Sequence, residues 1–258
     1  MTNSSESTPQ YWPRDDARPE SAGDGTDSLF AGAGAICRAA TRQAGADGAA
    51  LALLTRSSRT RELVYATDTI ARQIDELQYT IGEGPCFDAY LYDSPRCYPE
   101  LDNVAQTSRW PTFAADATRL GVRALFALPI PDGHRPMGVL ELYRRTSGGL
   151  AAAEYASAAA CAAAIARRLE SNWDEHVSHF GSAETAIDAA ATTGAACGGP
   201  ADVFTRTQVH VAGGMVAIQL GVNADEGVDR LRAHAYACAR PVSSVAADII
   251  ARRLTLHD

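Results

Sequence analysis

The sequence predicts an α+β protein, with an antiparallel sheet flanked by helices and then an all-α bundle of three helices. Three observations predict it. Two pairs of β-rich runs each flank a turn-rich loop, and helical patterns surround them in the order helix, hairpin, helices, hairpin, long helix. The last 58 residues carry three helical patterns and no strand pattern.

Residues 1–27 are Ser, Thr, Pro, Gly and Asp with few large apolar groups, which predicts a disordered tail. LFAGAGAICRAATRQAG (29–45) predicts a helix ended by Gly45, and AALALLT (49–55) with RELVYA (61–66) predicts a hairpin around RSSRT. RALFALPI (123–130) and MGVLELYR (137–144) predict a second hairpin around PDGHRP. In the first of these strands Ala124, Phe126, Leu128 and Ile130 share one face and Leu125 and Ala127 the other. Both faces are apolar, so this strand is expected to be central and covered on both sides. Between the hairpins lie QIDELQ, the Gly-rich stretch QYTIGEGPCFDAY (78–90), and a helix in TSRWPTFAADATRLG with Thr107 or Ser108 as its cap. An Ala-rich run after Gly149 predicts a helix of more than twenty residues, either packed on the sheet or serving as a parallel dimer seam.

Residues 181–200 are small and polar with a Gly-Gly-Pro finish, as in a linker. The expected division is a tail (1–27), a sheet domain (28–170), a helical and acidic connector (171–200) and a helical domain (201–258). In the helical domain the first helix (about 203–220) aligns Val209, Ala212, Val216 and Leu220. The second carries a capping pair, Asn223 and Glu226, and a stripe of Val228, Leu231, Ala235 and Cys238. The third starts near Pro241 and places Val242, Val245, Ala246, Ile249 and Ile250 together.

The charge is unevenly placed. Residues 1–27 sum to −4 and 170–200 to −5, whereas 28–169 come to +1 and 201–258 to zero, so the acidity lies in tail and connector. All 23 basic residues are Arg. The polar N-terminus and the lack of a long apolar run predict a cytoplasmic protein that does not enter a membrane. The six scattered cysteines are expected to be free thiols, with no spacing suited to a metal.

The GEGPC stretch admits several chemistries. As a phosphate loop it lacks the further glycines and the Lys-Ser/Thr that such a loop uses. As the site of a catalytic thiol it lacks a nearby base, because His134 is the one histidine in residues 28–170. Two readings carry most weight and are compatible: a turn that starts a helix at Pro85, and the lip of a ligand pocket formed by Gly84, Cys86 and Phe87. His176 and His179 read as a solvated helix face and Trp110 as core or interface.

The run QVHVAGGMVAIQLGVNADEGVDRLRAHAYACARPVSSVAADIIARRL resembles the ANTAR domain. The resemblance rests on Ala212, Gly214 and Met215 in helix one, Glu226, Leu231, Arg232 and Ala235 in helix two, and Val245 and Ala246 in helix three. The family often has Lys just before the helix-one Gly-Met, where this chain has Gly213. Residues 28 to about 170 resemble a GAF domain, through LQYTIGEGPCFDAY, SRWPTFAADATRLGVRALFALPI and MGVLELYR in that order.

Together these resemblances imply a non-enzymatic regulator that binds paired hairpins in nascent RNA, acts indirectly on RNA polymerase, and works as a homodimer under a small-molecule or redox sensor. They imply no identified cofactor. The residues suited to RNA phosphates and unstacked bases are Arg206, His210, Arg230, Arg232, His234, Tyr236 and Arg240. Two other readings stay open: a bundle that contacts protein or DNA, and a GAF-type methionine sulfoxide reductase using Cys86 and Cys97.

Overall fold

The computed structural model describes residues 29–54, 61–182 and 205–257. The expected disordered tail, the RSSRT turn and most of the expected linker fall outside them. The chain divides into two compact units, Pro19–Arg206 and one built on Thr207–Asp258. Among the described residues no helix is long and apolar enough to cross a membrane.

The larger unit holds α1 (Ala33–Gln43), β1 (Gly48–Leu54), β2 (Arg61–Ala66), α2 (Thr69–Ile81), α3 (Pro85–Leu91), β3 (Arg96–Tyr98), α4 (Val104–Thr107), α5 (Pro111–Arg119), β4 (Ala124–Ile130), β5 (Gly138–Arg144) and α6 (Ala152–Phe180). The five strands form one antiparallel sheet in the order β2-β1-β5-β4-β3. Both expected hairpins are present, and β3 supplies an edge. Three residues carry no readable periodicity, so β3 is absent from the sequence reading.

Alternation sends Leu51, Phe126, Leu128, Leu140 and Leu142 to one face of the sheet, where α1 and α6 cover them. Ala33, Cys37 and Ala40 on α1 and Ala158, Ala162 and Ala166 on α6 are small, so both helices come close to the sheet. The first half of α6 therefore packs on its own sheet, and the helix continues unbroken past the boundary expected at 170. Ala52, Leu54, Ala127 and Val139 face the other way, against Cys86, Ala89 and Tyr90 of α3. Strand β4 is thus covered on both sides, as its two apolar faces require.

One local expectation is corrected. The residue that caps α5 is Trp110, with Pro111 in the first turn, and not Thr107 or Ser108. Thr107 instead closes the short α4, where its hydroxyl donates to Asn103 O at 3.0 Å. Trp110 lies in the core: its ring is edge-on to Tyr98 and Phe113, and its Nε1 donates to Asp88 Oδ2 at 3.3 Å.

The smaller unit contains α7 (Thr205–Leu220), whose first two residues fall to the larger unit, then α8 (Ala224–Ala237) and α9 (Val242–Ile250). Asn223 caps α8 through Oδ1, which accepts from Glu226 N at 2.9 Å. The core is Val209, Ala212 and Val216 with Val228, Leu231 and Ala235 and with Val242, Val245, Ala246 and Ile249. Cys238 and Ile250 depart from the expected stripes. Cys238 is exposed because α8 has ended by then, and Ile250 closes α9 at its solvent edge.

Gly213 is buried where α7 crosses α8. A Cβ there would meet Val228 Cγ2 at 2.3 Å, and a Cβ on Gly227 would meet Gly213 O at the same distance. Read from the sequence, Gly213 is a cation missing from a surface; in the structure it is the small residue that lets two helix backbones touch.

Candidate functional site

The face of the sheet that meets α3 carries charge where an apolar layer would be expected. Glu141 points from β5 to this face between Val139 and Tyr143, and its ladder neighbours are Ala50 and Ala127. Those methyl groups leave the carboxylate uncrowded within the sheet. Gln78, in the last turn of α2, donates its Nε2 to both Glu141 oxygens at 2.9 and 2.8 Å, and its Oε1 accepts from Cys86 N at 2.9 Å. One amide side chain thereby joins β5, α2 and the first turn of α3.

The backbone of the GEGPC loop makes this junction possible. Gly82 ends α2 in the left-handed region at φ 83°, and Gly84 sits at φ 141° with its Cα so near Gln78 that a Cβ would stand 2.6 Å from Oε1. Pro85 then opens α3, as expected. Phe87 is partly buried beside the cluster, with the Arg61 guanidinium 5.4 Å from its ring centre. Gly84, Cys86 and Phe87 thus adjoin one polar cluster.

At its centre is Asp75, fully buried between two arginines. Arg61 Nη2 lies 2.5 Å from Asp75 Oδ1, and Arg206 Nη2 pairs with Oδ2. Arg206 is 4% exposed; its Nη1 donates to Arg61 O at 3.0 Å, and its guanidinium stands 4.1 Å from the Tyr79 ring centre. Burial opposes its charge, but the Asp75 and Glu76 carboxylates outweigh that and hold its pKa above the ordinary arginine value. Burial also pushes the carboxyl groups of Glu141 and Glu62 up to about 7, against the attraction of Arg61 and Arg206 respectively. The cluster can therefore hold a charged ligand, and at two carboxylates it can exchange a proton near neutrality.

Glu141 makes stability depend on pH in a predictable direction. Its folded value is raised from 4.5 to about 7, so its contribution is complete below about 4.5 and is lost as pH rises through 7. The loss is about 3 kcal/mol for a shift of that size. Glu141→Gln keeps an acceptor for Gln78 and removes the titration. Its melting temperature is expected to exceed that of the unaltered protein at pH 8 and to converge with it near pH 5; parallel curves would contradict the assignment.

Cys86 is fully buried, and burial raises its thiol well above the ordinary value; Cys97 is exposed at the sheet edge and also raised by burial. Both shifts oppose the thiolate that sulfoxide chemistry needs.

The seven residues assigned to RNA divide between buried and exposed positions. Arg206 and Arg232 are corrected from solvent-facing to buried, Arg206 in the larger unit and Arg232 against the bundle with Asp229 at 3.8 Å. Arg230 is half exposed and 3.3 Å from Glu226, and His234 follows one turn later. Arg240 pairs with Asp248 at 2.6 Å. His210 and Tyr236 are half-buried, and burial with the nearby Arg232 lowers the His210 pKa. On α7, Val211 and Ile218 are 53% and 86% exposed.

The GAF family profile matches residues 33–169, a little over half of the chain. The chain belongs to the GAF domain family. Among solved structures it is similar to the GAF domain of a phosphoenolpyruvate-protein phosphotransferase from Coxiella burnetii, at 15% identity and a TM-score of 0.46, covering 57% of this chain and 86% of that one. Free methionine-R-sulfoxide reductase from Neisseria meningitidis aligns at 14% identity and 0.45, covering 58% and 82%. The second GAF domain of DevS from Mycobacterium smegmatis aligns at 14% and 0.41, covering 59% and 97%. No curated protein matches the chain.

Within the GAF domain, sequence reasoning found the loop and missed its partners: Arg61, Asp75, Gln78, Tyr79 and Glu141. Glu141 had a signal, as a lone charge on an inward position of the apolar strand GVLELYR. Arg206 had none, being 131 residues from Asp75.

Proposed function

We propose that this protein is a signal-responsive regulator in which the GAF domain senses a small molecule at the Gln78–Glu141–Arg61 cluster and the C-terminal bundle binds structured nascent RNA to control transcription termination. The reading extends to a cytoplasmic homodimer that presents two bundles to paired hairpins. The observation that carries it is the bundle itself: the ANTAR-like residues Ala212, Gly214 and Met215 lie on α7, Glu226, Leu231, Arg232 and Ala235 on α8, and Val245 and Ala246 on α9. Arg230 and His234 on α8, with Arg240 after it, are the groups left to meet phosphates and bases.

The test is binding of the full chain to tandem-hairpin RNA across a salt series. Arg230→Ala is expected to weaken binding and to lower the salt slope by about one, the amount due to one neutralised phosphate. Absence of salt-sensitive affinity for any structured RNA would falsify the proposal. A second reading, docking of a protein partner, draws on the exposed Val211 and Ile218, which lie two turns apart on α7. Crosslinking that recovers protein in place of RNA selects it.

A further inference from the structure

The larger unit contains a guanidinium site that its own last residue fills. Around Arg206 stand two carboxylates, Asp75 and Glu76, the second with its Oε2 3.4 Å from Nη2. The main-chain oxygen of Arg61 accepts from Nη1 at 3.0 Å, and the Tyr79 ring lies 4.1 Å from the guanidinium carbon. Carboxylates, a carbonyl oxygen and an aromatic ring are the partners that a planar cation with five N–H donors requires. Withdrawing a guanidinium from water costs several kcal/mol unless it is matched in this way, so the match is built for the cation and is not an accident of packing.

A second observation shows that the described residues do not complete the site. Arg61 is fully buried and touches the other oxygen of the same Asp75 through Nη2, yet its Nε–H and Nη1–H meet no acceptor among the described residues. Buried donors are almost always satisfied, so a guanidinium left open on two sides marks a place where a group beyond the described residues is accommodated. The charges agree with a cationic visitor. Without Arg206, the two paired carboxylates Asp75 and Glu76 outnumber Arg61, before any charge on Glu62 or Glu141 is counted.

We infer that the GAF domain recognises a small guanidinium-bearing molecule in this cluster, and that Arg206 is an internal stand-in which the ligand displaces. The inference rests on the GAF domain being the sensing part of the protein. Asp75 and Tyr79 hold the incoming cation, and the open donors of Arg61 take an acceptor elsewhere on the ligand. Displacement releases Arg206, the last residue of the larger unit, and this release is the step by which occupancy is signalled.

Calorimetric titration of the full chain with methylguanidinium chloride, against sodium chloride at matched ionic strength, tests this on the unaltered protein, R206A, R206Q and R206A/D75N. Saturable binding is expected in R206A and R206Q, about tenfold or more tighter than in the unaltered chain, where the site is occupied by Arg206. It is expected to vanish in R206A/D75N. Folded R206A or R206Q without saturable binding, or equal affinity with and without Arg206, overturns the proposal. Should neither single variant fold, recovery of cooperative unfolding on addition of methylguanidinium supports it and failure to recover overturns it. The titration contains no RNA, so its failure is separate from a failure to bind RNA.

Discussion

Asp75→Ala is expected to be among the most damaging single substitutions in the GAF domain, costing about 3–5 kcal/mol. The reason is the position of one carboxylate between two buried arginines. Its two oxygens separately serve Arg61 and Arg206, which are 0% and 4% exposed. Removing it takes from Arg61 its ion-pair partner and leaves Arg206 only the longer contact to Glu76, at 3.4 Å. The melting temperature of a chain this long falls by about 2–4 °C for each kcal/mol, so a drop of about 10 °C is expected. Arg230→Ala serves as the control, because its partner Glu226 is solvated and an exposed pair of this spacing contributes about 0.3–0.5 kcal/mol. A melting temperature for Asp75→Ala as high as that of the control would show that the ion-pair arrangement does not exist in solution.

Gly227→Ala is expected to loosen the C-terminal bundle by about 1–3 kcal/mol, despite the roughly 1 kcal/mol by which Ala favours a helix over Gly. The new methyl would meet Gly213 O at 2.3 Å, Ala217 N at 2.9 Å and Ala217 Cβ at 3.0 Å. Two of these are main-chain atoms inside α7, which cannot rotate away as a side chain can, so the helices must separate. Val228 and Leu231, buried beside the crossing, then pack less closely against α7. Hydrogen exchange is the suitable measurement, with faster exchange expected along α7 and α8 and none in the sheet. Gly214→Ala is the matched comparison, since no described residue places an atom within 4 Å of a Cβ at that position. It is expected to be neutral or stabilising; similar exchange in the two variants would dismiss the close crossing.

The elements most legible in the sequence are those whose burial is written into periodicity. The two hairpins, α1, the long α6 and the three C-terminal helices each repeat apolar residues at the spacing of the structure they form. Strand β3 and the short α4 fall below that length, and Thr107 reads as the cap of α5 because four residues of α4 leave no pattern of their own. The candidate site divides in the same way. Gly82, Gly84 and Pro85 announce a turn and a helix start by their own backbone preferences. Cys86 in the same loop looks chemically active in one dimension, whereas its main-chain N–H, donated to Gln78, is the part of it that the site uses.

Backbone propensity and apolar spacing are local properties, and they specify the antiparallel α+β domain, the three C-terminal helices and the place of the Gly-rich loop. Which charges are buried is settled by contacts between distant parts of the chain. Such contacts take Arg206 and Arg232 out of solvent, close Gly213 into a helix crossing, and set Arg61, Asp75, Gln78 and Glu141 on one face of the sheet. An arginine reads the same in sequence whether water or a carboxylate surrounds it. What separates the two cases is the free energy of leaving water, and that is fixed by residues far away in the chain that fold to meet it.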